Sequence, residues 1–302
     1  MDYTTENRTC KPTHSDELCQ NDEQYTEAER HTATSMVETG SSILCLGNYL
    51  EVLPSLGVEA DALVSDPPFG NTSAGWDIAP VLERMWPVLH GSTRPNANIV
   101  LFCCGKFTIQ LAYSNLDEYR YDLIWRKSKP VGFLNANLMP MRNHESILLF
   151  SQGDKKGATY NPQKVFNKRY VGKKSGGGVI GDSGNSVYRK VNKVARISDG
   201  FMHPSSVLPF RSVPNAGRLH NTQKPVALME WLIESYTNPG DLIVDPFMGS
   251  GSTGVAIENL NMRLDMAGDR TTKRRRFIGI ELNEEFFQKA VVRIRQVVER
   301  QQ

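Results

Sequence analysis

The sequence has no apolar run long enough to cross a membrane as a helix. Its strongest stretches, around Ile99–Cys104 and Ile147–Phe150, have the length of strands, well short of the ~18 residues that a span needs. Its five cysteines (Cys10, Cys19, Cys45, Cys103, Cys104) contain no C-x-x-C pair, and no His/Cys group has metal-ligand spacing. Neither a disulfide framework nor a structural metal is therefore expected, and the odd, unpatterned set suits a reducing cytoplasm. The N-terminus is polar and acidic, with nothing that reads as a signal peptide. The expectation is a cytoplasmic protein that engages no membrane and no metal.

The 302 residues are 23% charged and 39% hydrophobic, ordinary for a globular chain long enough to bury a sizeable core. The net charge of +2 hides an asymmetry. Residues 1–40 carry nine acids against Arg8, Lys11 and Arg30, whereas residues 155–220 carry thirteen Lys/Arg against Asp182 and Asp199. Such segregation fits a tail plus a polyanion-binding segment, or equally a solvated, loop-rich surface.

Residues 1–40 lack apolar periodicity and read as an acidic tail. From Ser41 short apolar runs alternate with polar or amphipathic stretches. Ile43–Gly47, Ala62–Ser65, Asn98–Cys103, Tyr121–Trp125 and Ser146–Phe150 read as strands, and Ala79–Leu89 and Phe107–Leu116 as helices. The stretch from about Gly153 to Leu219, rich in glycine and base, breaks the pattern. Beyond it come a helix over Pro225–Tyr236, a strand Leu242–Val244, a helix Ser252–Leu260, a strand Phe277–Ile280 and an amphipathic helix Glu284–Val298. This alternation implies an α/β fold with a largely parallel sheet.

Two motifs carry chemistry. In Asp245-Pro246-Phe247-Met248-Gly249-Ser250-Gly251-Ser252-Thr253-Gly254 a strand turns through glycines into a helix, where the backbone can approach a ligand closely. Glu281, at the end of a later strand, could accept both hydroxyls of a ribose. The pair fits an adenosine cofactor without separating a nicotinamide dinucleotide from S-adenosylmethionine, and a structural strand–helix turn also fits the glycines. The second motif, Asp66-Pro67-Pro68-Phe69, makes the separation. Its prolines remove backbone donors and fix φ. The Asp66 carboxylate and the Pro67 carbonyl can accept from a planar amine while Phe69 stacks on its ring. A proline turn capping a strand is the plainer alternative for D-P-P, but the adjacent aromatic and the second nucleotide-type turn favour the amine site.

On these residues the chain resembles the amino-methylating DNA methyltransferases of the N4-cytosine/N6-adenine family, whose signature is D/N/S-P-P-Y/F/W. The similarity runs from about Ser41 to Val298. It includes Gly47-Asn48, Tyr121–Trp125, Gly132–Ala136, Arg142–Phe150, Tyr160–Gln163 and His220-Asn221-Thr222-Gln223-Lys224-Pro225. The order, with D-P-P-F ahead of the glycine loop, is that of the circularly permuted β group, in its phage and restriction-type branch.

The resemblance implies a doubly wound, mostly parallel seven-stranded sheet of the Rossmann-like methyltransferase type, with one antiparallel strand near an edge. It divides the chain into a tail (1–40), a catalytic half (41–152), a target-recognition insertion (153–219) and a cofactor half (220–302). It also implies S-adenosylmethionine as cofactor, held by Asn48, Gln223, Lys224, Asp245, Phe247, Gly249, Gly251, Thr253 and Glu281. Asp66, Pro67, Pro68 and Phe69 would be catalytic. Double-stranded DNA is the partner, contacted by Lys173, Lys174, Arg189 and Lys190, and a homodimer is left open. The setting implied is the cytoplasm of a bacterial cell or of a phage host.

Three features depart from the family pattern: Asn48 for the usual Asp, Asn221 for the usual Pro, and an apparent insertion over about Asn261–Arg274. Asp at position 66 favours N6 of adenine over N4 of cytosine. No cysteine has the setting that methylation at cytosine C5 would need. Two readings from other classes remain: a nicotinamide oxidoreductase, which leaves Asp66–Phe69 unexplained, and a silent DNA-binding module, which would need a broken methyl site.

Overall fold

A computed structural model describes residues 35–300 apart from 73, 154–156, 177, 181–190, 215, 217–222 and 269–271. In chain order the first half contains β1 (Ser35–Thr39), β2 (Ser42–Leu46), α1 (Tyr49–Ser55), β3 (Ala60–Ser65), α2 (Leu82–Gly91), β4 (Thr93–Cys103), α3 (Lys106–Ser114), β5 (Tyr119–Val131) and β6 (Arg142–Phe150). Seven two- or three-residue strands follow: β7 (Val165–Phe166), β8 (Lys174–Ser175), β9 (Gly178–Ile180), β10 (Val191–Lys193), β11 (Arg196–Ile197), β12 (Phe201–Met202) and β13 (Val207–Leu208). The chain closes with α4 (Val226–Tyr236), β14 (Leu242–Asp245), α5 (Ser252–Met266), β15 (Arg276–Glu281) and α6 (Glu284–Glu299).

Nine strands form one sheet in the order β1-β2-β15-β14-β3-β4-β6-β5-β13. The run from β2 to β4 is parallel, and β6 lies antiparallel between β4 and β5. The seven strands that the sequence implies are the inner ones, with β1 and β13 added at the edges. A parallel strand covered on both faces must be apolar throughout rather than alternating, and every residue of β14, Leu-Ile-Val-Asp, is buried. One face is covered by Val52 and Leu53 of α1, Met85 and Leu89 of α2, and Phe107 and Leu111 of α3. The other face is covered by Leu228 and Leu232 of α4, Val255 and Ile257 of α5, and Phe287 and Ile294 of α6. The sheet is therefore doubly wound. The α6 stripe Phe287, Ala290, Val291, Ile294 is buried at helical spacing, and Asn283 caps its start by accepting from the Phe286 N–H at 3.1 Å.

The structure differs from the sequence reading in four places. The polar stretch taken as tail is ordered at its end: β1 pairs with β2 through a turn at Gly40, whose φ is +57°. One face of this edge strand is exposed, so it needs no apolar alternation, and Glu258 holds its turn by accepting from Ser41 N and Ser42 Oγ. The short helix α1 contains Pro54 in its last turn, which disguises a helix in sequence. Residues from Asn261 to Met266, read as the start of an insertion, continue α5, where Asn261 is buried and donates to the Arg275 carbonyl at 2.9 Å. Finally, the segment 153–219 contains a long interrupted hairpin. Its pairs β7–β12, β8–β11 and β9–β10 are nested in register order, and β13 then joins the main sheet beside β5.

The winding reverses between β14 and β3. From β14 the chain proceeds to β15 on one side, and from β3 to β4 on the other. Ligands in such sheets bind beyond the carboxyl ends at this switch point. Asp245 and Ser65–Asp66 end the two strands there.

Candidate functional site

A cavity of about 1420 Å³ opens at this switch point and is lined by both halves of the chain. The two sequence motifs, 180 residues apart, are joined beneath it. Asp245 Oδ1 accepts from Ser65 Oγ at 2.5 Å and from Phe247 N at 3.1 Å, while Oδ2 accepts from Thr253 Oγ1 at 2.5 Å. Asp245 and Thr253, expected to hold a cofactor, thus spend these bonds on each other and on the turn, and they shape the cavity from below. Burial pushes the Asp245 carboxyl up to about 6.

The glycines separate by role. Gly249, at φ +53°, lines the cavity, and a Cβ built on it would meet nothing within 4 Å. Gly251, at φ +75°, starts α5, and a Cβ there would stand 3.0 Å from Ala290 Cβ. It is absent from the cavity lining, so its requirement is conformational. At Gly254 a Cβ would come within 2.4 Å of Ile294 and 2.8 Å of Phe277, so this glycine admits the close helix–strand packing that such motifs need. Glu281 Oε2 accepts from Gly249 N at 2.9 Å and Oε1 from Asn283 N at 2.8 Å. Burial raises its carboxyl to about 7 against the pull of those N–H groups. Phe247 packs on Tyr49 with centroids 4.6 Å apart, and Asn48 and Gln223 also line the cavity. The Asn48 amide oxygen caps α1 by accepting from Leu50 N at 3.0 Å.

The D-P-P-F loop sits on a charge cluster. Lys224 is almost fully buried, and its ammonium is engaged by Asp66 Oδ2 and stands 3.3 Å from Glu145 Oε2. The other Glu145 oxygen accepts from Lys127. Lys224 also lies over the rings of Phe69 and Phe102, at 5.6 and 4.9 Å. Burial raises the Asp66 carboxyl to about 6, with Lys224 pulling it down and Glu145 pushing it up. For Glu145 burial opposes ionisation, but Lys224 and Lys127 outweigh it and hold the carboxyl below its ordinary range. Lys224 is desolvated yet kept protonated by the two carboxylates, its pKa raised. Asp66 Oδ1 is buried at the cavity and has no hydrogen-bond partner among the described residues. Lys224, expected as a cofactor residue, is seated on the Asp66 carboxylate.

Sequence reasoning missed the residue that shapes this loop. Asp77, 8% exposed, accepts four backbone N–H bonds: from Phe69 (2.9 Å) and Gly70 (3.0 Å) at Oδ1, and from Asn71 (3.0 Å) and Thr72 (2.7 Å) at Oδ2. Against burial, the Thr72 hydroxyl and the backbone N–H groups of Gly70, Thr72 and Phe69 hold its carboxyl below the usual range. They also fix the loop that presents Phe69, whose ring lies 5.7 Å from Phe107. Lys127 and the site role of Glu145 were likewise missed. The available hint was an acid opening the otherwise apolar β6 run.

Pro67 and Pro68 line the cavity with Asp66 and Phe69. Lys173 and Lys174 do not: both are exposed on the hairpin arm, Lys173 with its ammonium 4.9 Å from the Tyr170 ring centre. Arg189, Lys190 and His220–Thr222 lie outside the described residues. Among the described residues no group of three His, Cys, Asp or Glu side chains could hold a metal. No helix among them is long and apolar enough to cross a membrane.

Residues 60–292 match the family model for DNA methylases of the N6/N4 type. Type II methyltransferase M.HpaI of Haemophilus parainfluenzae is 27% identical over 270 residues, covering 83% of this chain and 73% of the relative. Type II methyltransferase M2.DpnII of Streptococcus pneumoniae is 30% identical over 173 residues, 57% of this chain and 50% of the relative. In fold, the chain is similar to the crystal structure of the M1.HpyAVI–SAM complex, with a TM-score of 0.54 and 24% identity over 83% of this chain and 98% of that one. It is similar also to the PvuII DNA methyltransferase, described as cytosine-N4-specific, with a TM-score of 0.55 and 16% identity over 87% and 93%.

Proposed function

The chain belongs to the N6/N4 DNA methylase family, and we propose that within it this protein methylates N6 of adenine in double-stranded DNA, using S-adenosylmethionine. One observation carries the reading. Asp66 Oδ1 is a buried acceptor at the cavity with no partner among the described residues, while its sister oxygen is fixed by Lys224. A buried carboxylate oxygen left unpaired is costly, and an exocyclic amine is the donor that would satisfy it.

The cofactor half suits the nucleoside. Gly249 leaves open space where any side chain would stand, Glu281 presents a carboxylate for ribose hydroxyls, and Phe247 offers an apolar wall. S-adenosylmethionine, when bound, supplies an electrophilic methyl on a sulfonium centre.

The protein's own residues do the rest. An adenine inside a duplex is out of reach, so the base is flipped out at a cost of a few kcal/mol. Phe69, fixed through Asp77, stacks on it, and Asp66 Oδ1 and the Pro67 carbonyl accept its two amine hydrogens. The amine lone pair is delocalised into the ring, and acceptors on both N–H bonds favour the pyramidal nitrogen that exposes it. Positioning and electrostatic stabilisation then supply most of the rate. Lys224 keeps Asp66 in the acceptor form near neutral pH.

The segment 153–219 is the proposed reader of the DNA sequence, with Lys173 and Lys174 on phosphate. The test of the target is nucleoside analysis of DNA incubated with the enzyme and labelled S-adenosylmethionine. N6-methyladenine is the expected product, and N4-methylcytosine as the main product would overturn the assignment.

A further inference from the structure

Residues 128–140, between the stems of β5 and β6, form an unbroken run of exposed residues. Four large apolar side chains stand out there: Phe133 is 77% exposed, Leu134 93%, Leu138 81% and Met139 59%. The segment is ordered by its own backbone. Gly132 takes φ +91°, and Asn135 N donates to the Gly132 carbonyl at 3.0 Å, with Leu138 N and Met139 N donating to the Asn135 carbonyl at 2.9 and 3.0 Å. The stem closes with Val131 opposite Arg142. Isolated exposed apolar residues are ordinary, but a cluster on one projecting turn marks a binding surface.

Two further observations identify the occupant. The stem belongs to the cavity rim: Lys127, Ser128, Lys129, Pro130, Val131 and Arg142 all line it. And residues 126–144 contain Arg126, Lys127, Lys129 and Arg142 but no acid. A basic stem beneath an apolar tip matches a duplex, with phosphates for the cations and the base stack for the apolar residues.

We propose that this arm is a DNA wedge: its stem grips the backbone beside the target, and Phe133 and Leu134 enter the stack to hold open the place that the flipped base vacates. Apolar wedges between base steps are a known way to support unstacked DNA. The proposal rests on the reading that the enzyme acts on a flipped base in DNA.

The test is a Phe133→Ala/Leu134→Ala double variant, whose truncations remove only exposed surface and leave the core intact. Single-turnover methylation is measured on a normal duplex and on one whose target base faces an abasic site, where unstacking is cheap. The expected result is a loss of roughly 10- to 100-fold on the paired duplex and near wild-type rate on the unpaired target, with S-adenosylmethionine affinity unchanged. Equal losses on both substrates, or no loss on either, would overturn the wedge. So would a wild-type dimer that the variant turns into a monomer, because the patch would then be a subunit contact. A 2-aminopurine at the target position separates the premises. If its fluorescence fails to rise when the wild-type enzyme binds, base flipping itself is wrong. If it rises equally with both proteins and the paired-duplex rate is kept, only the wedge fails.

Discussion

Lys224 is the most informative residue to change, because its ammonium is held by Asp66 and Glu145. In Lys224→Met the carboxylate of Asp66 loses its charge-assisted bond and faces Glu145 without the intervening cation. Such a bond contributes about 1.5–3 kcal/mol net, and one pKa unit is about 1.36 kcal/mol, so the Asp66 carboxyl should rise by ~1–2 units. It starts at about 6. If turnover needs the ionised form, the acid limb of kcat/KM for DNA moves from about 6 toward ~7–8 in the variant. The variant would then lag most below pH 6, by roughly 10- to 100-fold as the pKa difference dictates, and would recover most of the difference above pH 8.5. The assay is kcat/KM for a duplex at saturating S-adenosylmethionine between pH 5 and 9, with cofactor affinity measured in parallel by calorimetry. An acid limb that stays near 6 while cofactor affinity collapses would refute the reasoning and return Lys224 to the cofactor site.

Three further outcomes follow from particular contacts. Asp77→Asn turns an amide NH2 toward two of the four backbone donors now bound to the carboxylate; kcat/KM should fall by roughly 10- to 100-fold, and unchanged kinetics would show that the D-P-P-F loop holds itself. Glu281→Ala should weaken S-adenosylmethionine binding by ~1–3 kcal/mol. Because the free Glu281 carboxyl sits at about 7, wild-type affinity should decline as pH falls through 7, and Glu281→Gln should flatten that dependence; a pH-independent wild-type titration would place the ribose elsewhere. Lys173→Ala and Lys174→Ala should each lower the salt slope of DNA binding by about one unit without moving the methylated site, and a changed site would make them base readers instead.

Both chemical motifs were legible because each is contiguous: D-P-P-F and the glycine turn announce themselves within a few residues, and the strands around them need only local apolar runs. What the sequence hides is long-range or polar. Lys224 and Asp66 are 158 positions apart, and no local pattern says that a lysine in a Q-K-P segment folds back onto a D-P-P loop. Asp77 looks like any loop acid until four N–H groups are seen to converge on it. β1 escaped because an edge strand with a solvated face carries no apolar signature, and α1 because seven residues ending in Pro54-Ser55 fall below the length at which helical periodicity is recognisable. Gly251 and Gly254 were visible as glycines, but only packing against α6 distinguishes them from Gly249, the one that faces open space.

The charges beneath the D-P-P-F loop also limit what can enter. Asp66, Lys224, Glu145 and Lys127 alternate in sign along one chain of contacts, so the buried cluster is neutral when all four are ionised. Removing one partner from such a set leaves an uncompensated charge, which costs far more than the set contributes as a whole. A neutral donor can bind the spare oxygen of Asp66 without disturbing that balance, whereas a cation would overcompensate it and an anion would meet two carboxylates. An uncharged aromatic amine, delivered by flipping from a paired base, is the ligand that this arrangement admits at no electrostatic cost. The same neutrality explains how an acid can be kept ionised and half-satisfied under the cavity: Lys224 supplies the charge balance and leaves the remaining lone pairs for the substrate.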